Sequence, residues 1–321
     1  MVGKFHPLHK GHEFLLNYAG QICQQVSVIV DNYTQQTIHP SIRANWIREL
    51  FPAYAVTPCK RHNPQSPEEC EDFWEIWRNI VLEHAGQPDY IVGSETYITK
   101  LAKEVNATPI FCDIPRANIP ISATKIKRDL IGNWDMLTKP SQLYYQKRIL
   151  LMGAESSGKT TTGQKLAKQL DGSFVPEYVS IQMQQERELN LEMLKEAIIA
   201  QCGLEKSTNQ NPRPFIICDS DYLTTQIWAK ELYNATISDP SPTPRVPDLV
   251  LLFPPTTEWV ADKHRLPAYK DKAKREAFFE TCVCKVKEKG WNYHILSDKD
   301  TVKEAKKLAS QLLYQYNENI N

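Results

Sequence analysis

One segment of the chain has the residue pattern of a phosphate-binding loop. Gly153–Thr160 reads GAESSGKT and matches the pattern G-x-x-x-x-G-K-[ST]. The β-rich run Arg148–Met152 precedes it and the helical stretch Lys159–Leu170 follows, the order that such a loop requires. Backbone N–H groups would hold phosphate there, and the alternative is a glycine-rich turn that binds nothing. The expected nucleotide contacts are Gly153, Glu155, Ser156, Ser157, Gly158, Lys159, Thr160 and Thr161.

Carboxylates follow two other β-rich runs. Asp219 and Asp221 come directly after Phe215–Cys218, and Glu177 follows Ser173–Val175. Ligands of open α/β sheets bind at the carboxyl ends of the strands. We therefore expect Thr160 and Asp219 to bind Mg²⁺, with Asp221 behind them, and Glu177 to accept a proton from a substrate hydroxyl. Each carboxylate could instead be a solvated charge in a loop. The nearby phosphate loop favours a functional role over that alternative.

The segment 258–265, EWVADKHR, has the composition of a lid. Mobile basic residues that close over phosphates stabilise the transferred charge and exclude water. Arg265 is the first candidate and Lys263 the second. A solvated basic helix face is the alternative interpretation.

A second constellation opens the chain. Gly3–His12 reads GKFHPLHKGH, so that His9 and His12 lie three residues apart at the start of an amphipathic helix. Such a pair forms a donor cluster for phosphate, as nucleotidyl transfer requires. Ile121–Arg128, ISATKIKR, adds two hydroxyls and a basic cluster at another helix start, which indicates a second phosphate clamp. Taken alone, it is also compatible with a capping motif and a basic helix face.

The elements that would position these residues alternate between strand and helix, which is typical of parallel sheets. A break near residues 138–146 divides the chain into domains 1–142 and 143–321. The proline-rich segment Asn234–Pro247 should be an exposed, irregular insertion. The predicted class is α/β, with two doubly wound parallel-sheet domains. The strands expected are Val26–Val30, Tyr90–Val92, Pro109–Cys112, Arg148–Met152, Phe215–Cys218 and Leu249–Phe253.

Composition narrows the functional classes. The 321 residues include 38 Lys plus Arg and 38 Asp plus Glu, so no global basic field predicts a nucleic-acid partner. The eight cysteines form no CxxC pair, and we interpret them as reduced thiols of a cytoplasmic protein. No apolar run approaches the roughly 20 residues of a membrane span.

The motifs GKFHPLHKGH, VGSETY, DIPRANIPISATKIKRD, GAESSGKTT, CDSDYLTTQ and TEWVADKHR occur in that order. The chain thereby resembles the NadR-type bifunctional enzymes, in a form without the N-terminal DNA-binding domain. The resemblance implies a Rossmann-like nicotinamide-nucleotide adenylyltransferase followed by a P-loop ribosylnicotinamide kinase. It also implies ATP as co-substrate, Mg²⁺, and nicotinamide riboside and NMN as substrates. A homo-oligomer is compatible with the sequence.

The motifs and the resemblance together give the individual roles. His9, His12, Lys159, Asp219 and Glu177 would be catalytic. Trp77 would stack on the pyridinium ring, with core packing as the alternative, and Glu177, Tyr178 and Asp221 would contact the kinase substrate. The first domain would bind ATP through Gly3, Lys4, Phe5, His9, Gly11, His12, Ser122, Thr124, Lys127 and Arg128.

Two other functions are alternatives to this one. A coenzyme A synthase-like fusion usually has Thr or Ser in place of His9, and the segment TEWVAD would be unexpected in it. A nucleotide-sensing regulator would keep a DNA-binding segment or lose the phosphate loop. The residues do not decide between NMN and nicotinic acid mononucleotide.

The first strand is expected to be central and buried, yet only Met1 and Val2 precede Gly3. A usual strand has about 5–6 residues. We therefore expect the natural start to lie upstream, with a longer form that is more stable and more active in adenylyl transfer.

Overall fold

The computed structural model describes residues 1–33, 36–261, 265–297 and 300–320, the last eight of these as backbone only. The chain forms two compact units that divide between Tyr144 and Tyr145. The division predicted from the sequence lies between Gln142 and Leu143. The α/β class with parallel sheets is confirmed. In the described ranges, no helix has the length and apolar character needed to cross a bilayer.

The helices and strands have the following bounds. The strands are β1 Val2–Gly3, β2 Ser27–Val30, β3 Ala55–Pro58, β4 Tyr90–Gly93, β5 Thr108–Phe111, β6 Lys147–Gly153, β7 Ser173–Val175, β8 Phe215–Cys218, β9 Leu249–Phe253 and β10 Tyr293–Ile295. The helices are α1 Lys10–Ile22, α2 Pro40–Leu50, α3 Phe73–Ala85, α4 Ile98–Glu104, α5 Ala123–Arg128, α6 Lys139–Tyr145, α7 Lys159–Gln169, α8 Tyr178–Gln184, α9 Leu191–Thr208, α10 Tyr222–Tyr233, α11 Lys272–Glu288 and α12 Thr301–Ile320.

The first unit has two small parallel sheets, of order β1-β2-β3 and β4-β5. The apolar run of β2 is buried from Val28 to Val30. Ile29 packs in a core cluster with residues of α3 and α4, including Phe73, Trp77 and Ile98. At the carboxyl end of β2, Asp31 N donates to Gly3 O (2.9 Å). The packed strand β2 thereby positions the loop that follows β1.

The expected central position of the first strand is wrong for this unit. β1 has two half-buried residues and, within the described residues, pairs with β2 at the edge of its sheet. The carbonyl groups of Met1 and Gly3 accept hydrogen bonds from the backbone N–H groups of Ile29 and Asp31, whereas the Tyr97 hydroxyl donates to Val2 O (3.0 Å). A side chain therefore satisfies the carbonyl that a second neighbouring strand would use.

The second unit has a five-stranded parallel sheet of order β10-β9-β6-β8-β7, which is doubly wound as predicted. Every residue of β6 is buried, as expected for a central strand covered on both faces. Leu150 and Met152 contribute to the core on one face, whereas Ile149 and Leu151 contribute to the core on the other. This packing fixes the point at which β6 ends and the phosphate loop begins.

The predicted irregular segment follows α10. Asn234 caps that helix in the left-handed conformation (φ 48°), and no regular element occurs before β9. Most residues of this segment are exposed or half-buried, in agreement with its four prolines.

Candidate active sites

Helix α1 of the first unit begins with two stacked histidines. His9 is the N-cap, and its Nδ1 accepts a hydrogen bond from the His12 backbone N–H (3.3 Å). The Nδ1 of His12 accepts one from the His9 backbone N–H (3.3 Å), and the ring centroids lie 3.7 Å apart. Gly11 lies between them, and a Cβ there would lie 3.0 Å from the His9 ring and press against it. Since Nδ1 is the acceptor in each ring, a neutral ring carries its proton on Nε2 and can donate it.

The environment keeps both rings neutral. Burial, and then the charge of Arg116, lowers the pKa of His9 to about 4. Burial, followed by the influence of His9 and Arg116, lowers the pKa of His12 well below its usual value. At neutral pH the pair therefore consists of two N–H donors without net charge, which suits stabilisation of an anionic group.

Both histidines line a cavity of about 810 Å³. The structure brings most of the predicted first-domain residues to this cavity, but Arg128 is exposed and is not among its lining residues. The predicted residues that line it are Gly3, Lys4, Phe5, His9, Gly11, His12, Trp77, Ser122, Thr124 and Lys127.

The predicted second clamp begins helix α5. Ser122 is its N-cap and accepts a hydrogen bond from the backbone N–H of Lys125 (3.2 Å), so the capping interpretation is correct for this hydroxyl. Lys127 reaches the cavity, where burial and the neighbouring cations Lys4 and Arg43 lower its pKa. A cation held near other cations favours an anionic ligand.

Trp77 packs in the core of the first unit, as the alternative interpretation held. Its side chain is 7% exposed, and its Nε1 donates to Pro64 O (3.1 Å). The same ring also contributes to the cavity wall, next to Phe73 and Trp74. Its position is therefore compatible with both core packing and an aromatic contact to a ligand.

Two arginines of the first unit lie at the site without having been predicted. The charge of Arg116 lowers the pKa of both histidines. Arg116 lies six residues before Ser122, in a motif that carries the family resemblance. Arg43 is fully buried and donates to Ile38 O (3.0 Å), to Asp31 O (2.9 Å) and to Lys4 O. The sequence feature that could have identified Arg43 is its position among the apolar residues of α2.

In the second unit, β6 leads directly into the phosphate loop and α7. Gly153 has φ +150°, and a Cβ there would lie 2.5 Å from Phe253 O, so that a larger residue cannot fit. Gly158 is the N-cap of α7 with φ +86°, in the left-handed region that favours glycine. The Ser157 hydroxyl donates to Ala154 O (2.8 Å) and closes the loop. Thr161 is exposed in the first turn of α7.

The catalytic candidates meet around this loop. The Lys159 ammonium donates to the carbonyls of Gly153 and Ala154 (2.8 Å each) and retains one further N–H. The Thr160 hydroxyl donates to Asp219 Oδ2 (2.6 Å). Asp219 is 5% exposed, and its Oδ1 has no hydrogen-bond partner within the described chain.

These groups fit Mg²⁺. A buried carboxylate oxygen without a partner next to a threonine hydroxyl matches the oxygen ligands that Mg²⁺ prefers. Over the described ranges, no group of three His, Cys, Asp or Glu residues is arranged for a metal. The other ligands of a Mg²⁺ ion at this site would be phosphate oxygens of the nucleotide and water molecules, as is usual for this ion.

Glu177, the predicted proton acceptor, is close enough to Asp219 to be influenced by its charge. Its Oε2 accepts a hydrogen bond from the Ser180 hydroxyl. Burial, and then the charge of Asp219, raises its pKa, which makes its carboxylate a better proton acceptor. Tyr178, the next predicted contact, directs its hydroxyl to the half-exposed carboxylate of Glu196.

Asp221 has structural partners. It is the N-cap of α10, and its Oδ1 accepts from the backbone N–H groups of Leu223 (3.0 Å) and Thr224 (3.2 Å). Its Oδ2 lies 3.9 Å from the buried guanidinium of Arg148. The described contacts therefore assign Asp221 to the helix start and the core, and the substrate contact stays a prediction.

Part of the predicted lid contacts the phosphate loop. Arg265 Nη1 donates to Ser156 Oγ (2.8 Å), and Leu266 N donates to Glu155 Oε2 (3.2 Å). Burial raises the pKa of Glu155 to about 7. Lys263, the second lid candidate, lies outside the described residues. Arg265 thus reaches the loop that would hold the phosphates.

Fold and sites together define a two-unit α/β protein whose second unit has a P-loop, nucleotide-binding fold. The AAA domain family matches residues 148–305. The chain is also similar to the trifunctional NAD biosynthesis/regulator protein NadR of Salmonella typhimurium strain LT2, with 23% identity over 295 residues, 82% of this chain and 70% of that protein. NadR of Escherichia coli K12 is 24% identical over 196 residues, 56% of this chain and 48% of its own length.

Solved structures agree with these matches. A NadR protein in complex with NR has a TM-score of 0.66 at 21% identity, covering 99% of this chain and 95% of that chain. A NadR protein in complex with NAD and AMP-PNP has a TM-score of 0.62 at 19% identity, with the same coverage. The chain is similar to NadR proteins over most of its length, and the resemblance predicted from its motifs is confirmed.

Proposed function

We propose that the protein makes NAD in two ATP-dependent steps. The second unit phosphorylates the 5′-hydroxyl of nicotinamide riboside to give NMN, and the first unit transfers the adenylyl group of ATP to NMN with release of pyrophosphate. The observation that carries this proposal is the presence, in one NadR homologue, of a phosphate loop with a buried carboxylate pair and of two neutral histidines on a cavity. The ligands named for the NadR structures, NR, NAD and AMP-PNP, support it.

In the kinase step, the 5′-hydroxyl oxygen of the riboside attacks the γ-phosphorus of ATP and ADP leaves. Glu177 accepts the proton of that hydroxyl. Lys159 and the N–H groups at the start of α7 stabilise the charge on the transferred group. Arg265 approaches from the lid side through its contact with Ser156. Thr160 and Asp219 would hold Mg²⁺, which would supply positive charge at the β- and γ-phosphates.

In the adenylyl step, a phosphate oxygen of NMN attacks the α-phosphorus of ATP and pyrophosphate leaves. The Nε2–H groups of His9 and His12 donate to the oxygens on which charge develops. Lys127 and Lys4, which line the same cavity, offset the charge of the pyrophosphate. The step needs positioned donors and no covalent nucleophile.

The test is to incubate the whole protein with ATP, Mg²⁺ and nicotinamide riboside and to identify the products by mass. We expect NMN followed by NAD, and NAD alone when NMN is supplied. Formation of neither product, together with adenylylation of pantetheine phosphate, would instead support the coenzyme A synthase-like alternative. The cytoplasmic location, the homo-oligomer and the absence of nucleic-acid or membrane partners stay predictions.

A further inference from the structure

A buried glutamine of the second unit holds the backbone on both sides of the proposed base. Gln201 lies on α9 and is 4% exposed. Its Oε1 accepts a hydrogen bond from Tyr178 N (2.8 Å), and its Nε2 donates to Pro176 O (3.1 Å). These two groups belong to the peptide units directly before and after the Cα atom of Glu177. One side-chain amide therefore fixes both backbone dihedral angles of that residue.

This amide also leaves the Glu177 side chain available. Glu177 is the N-cap residue of α8, yet among the described residues its carboxylate accepts no capping hydrogen bond from the helix backbone. An N-cap side chain ordinarily accepts one from the first turn. Gln201 instead satisfies the N–H group of Tyr178, which has no acceptor within the helix. The carboxylate is then held by the Ser180 hydroxyl and can act on the riboside.

The helix that carries Gln201 is tied to the strand before the phosphate loop. Glu205 lies four residues after Gln201, and residues at this spacing share a helix face. Its two carboxylate oxygens accept from Arg148 Nε (2.8 Å) and Nη2 (2.9 Å). Arg148 belongs to β6 and is 1% exposed. The same face of α9 thus connects the segment of Glu177 with the strand that leads into the phosphate loop.

We propose that Gln201 is a positioning residue for the phosphorylation step, through its hold on the backbone of Glu177. This inference rests on the proposed kinase step. A general base must lie within hydrogen-bond reach of the proton that it takes, and a displacement of about 1 Å can cost about 10²-fold in rate. Without the amide of Gln201, the start of α8 lacks an acceptor. The Glu177 carboxylate, as the N-cap group, would then turn towards the helix and away from the riboside.

The test measures kcat and KM for riboside phosphorylation by the full chain. Gln201→Met keeps the length of the side chain and removes its donor and acceptor. We expect kcat to fall about 10- to 100-fold, with KM for ATP within about threefold of the wild type, because the phosphate loop belongs to other elements.

A double-mutant cycle separates positioning from stability. In a Glu177→Gln background, Gln201→Met should lower the residual kcat by less than about twofold, because the base that Gln201 positions is already gone. A structural effect on the whole unit would give the same loss in both backgrounds. If Gln201→Met does not fold, Gln201→Asn, which keeps the amide on a shorter side chain, enters the same cycle.

Two control variants match this substitution. Ile198 lies on α9 and packs in the same core cluster as Val175 of β7, so Ile198→Val perturbs the packing of the helix without touching the amide. It should lower the melting temperature and keep kcat within about twofold. Gln184 is exposed at the end of α8, and Gln184→Met should change neither quantity.

Three results would each overturn the inference. They are a kcat within about twofold of the wild type in folded Gln201→Met, equal losses in both backgrounds of the cycle, and a loss of similar size in Ile198→Val. If the wild type adenylylates NMN but does not phosphorylate the riboside, the proposed kinase step fails and this inference with it.

Discussion

Asp219 and Asp221 are two residues apart, yet their surroundings differ. Asp219 bonds the Thr160 hydroxyl and keeps one buried oxygen without a partner in the described chain. Asp221 caps α10 and approaches Arg148. The chemistry of a carboxylate is therefore decided by the groups around it, and these two should respond differently to the same substitution.

We expect Asp219→Asn to lower kcat for riboside phosphorylation by about 10²-fold or more, because the charge that holds Mg²⁺ is lost. Asp221→Asn should keep kcat within about threefold, since asparagine can also cap a helix, but lower the melting temperature through the lost charge opposite Arg148. Steady-state kinetics and thermal unfolding measure the two effects. Equal, mild losses of rate would argue that Glu177 carries the essential carboxylate role.

The pH dependence of phosphorylation should report Glu177. Burial and the charge of Asp219 raise its pKa, so on acidification it becomes protonated, and unable to accept a proton, at a higher pH than an ordinary glutamate. We expect kcat to fall with decreasing pH through that raised pKa and to be recovered at higher pH. Glu177→Gln should remove most of the activity at every pH. A wild-type rate that stays constant down to pH 4.5 would contradict the assignment.

At the scale of elements, the phosphate loop is held from two directions. β6 and the glycines Gly153 and Gly158 fix its backbone, whereas Arg265 and Leu266 contact its outer residues Ser156 and Glu155. The segment that reaches it is anchored by Arg275, whose Nη1 donates to Thr257 O (2.9 Å). We therefore expect substitutions in the lid segment to affect phosphate binding by the loop in the kinase step.

We expect Arg265→Ala to lower kcat of riboside phosphorylation by about 10- to 100-fold, because the transferred phosphoryl group loses a cation on the lid side. Lys270→Ala, at an exposed lysine of the same region, is the matched control and should change kcat less than twofold. Michaelis–Menten kinetics with varied riboside separate kcat from KM. A similar loss in both variants would indicate a general effect of surface charge.

At the scale of the whole molecule, each unit has its own site, built from its own strands and helices. The histidine pair depends on the start of α1, and the phosphate loop depends on β6 and α7. Under the proposed function, the two reactions should therefore be separable by single substitutions.

We expect Lys159→Ala to lower riboside phosphorylation by about 10²-fold or more and to leave NMN adenylylation within about twofold of the wild type. His12→Ala should do the reverse, because the adenylyl site loses a donor that is needed as charge develops. Each activity is assayed separately with its own substrate and identified by mass. Loss of NMN adenylylation in a folded Lys159→Ala protein would disprove the assignment of two sites.

Local patterns in the sequence were enough to predict two strands and the phosphate loop of the second unit. The apolar runs Phe215–Cys218 and Leu249–Phe253 are strands with the predicted bounds, and the Gly-Lys-Thr pattern lies between β6 and α7. Strand and helix patterns arise from contacts between residues near in the chain, and a run buried on both faces needs no knowledge of its neighbours. The parallel α/β class and the similarity to NadR follow from such patterns.

Only the tertiary structure decided which distant groups meet. Tyr97 reaches Val2 across 95 residues, and Gln201 reaches Tyr178 across 23, so neither contact has a signature in local spacing. The split sheet of the first unit, the amide that holds the backbone around Glu177 and the capping role of Asp221 all depend on such meetings. The physical reason is that a polar side chain takes its role from the donors, acceptors and charges that the fold brings to it.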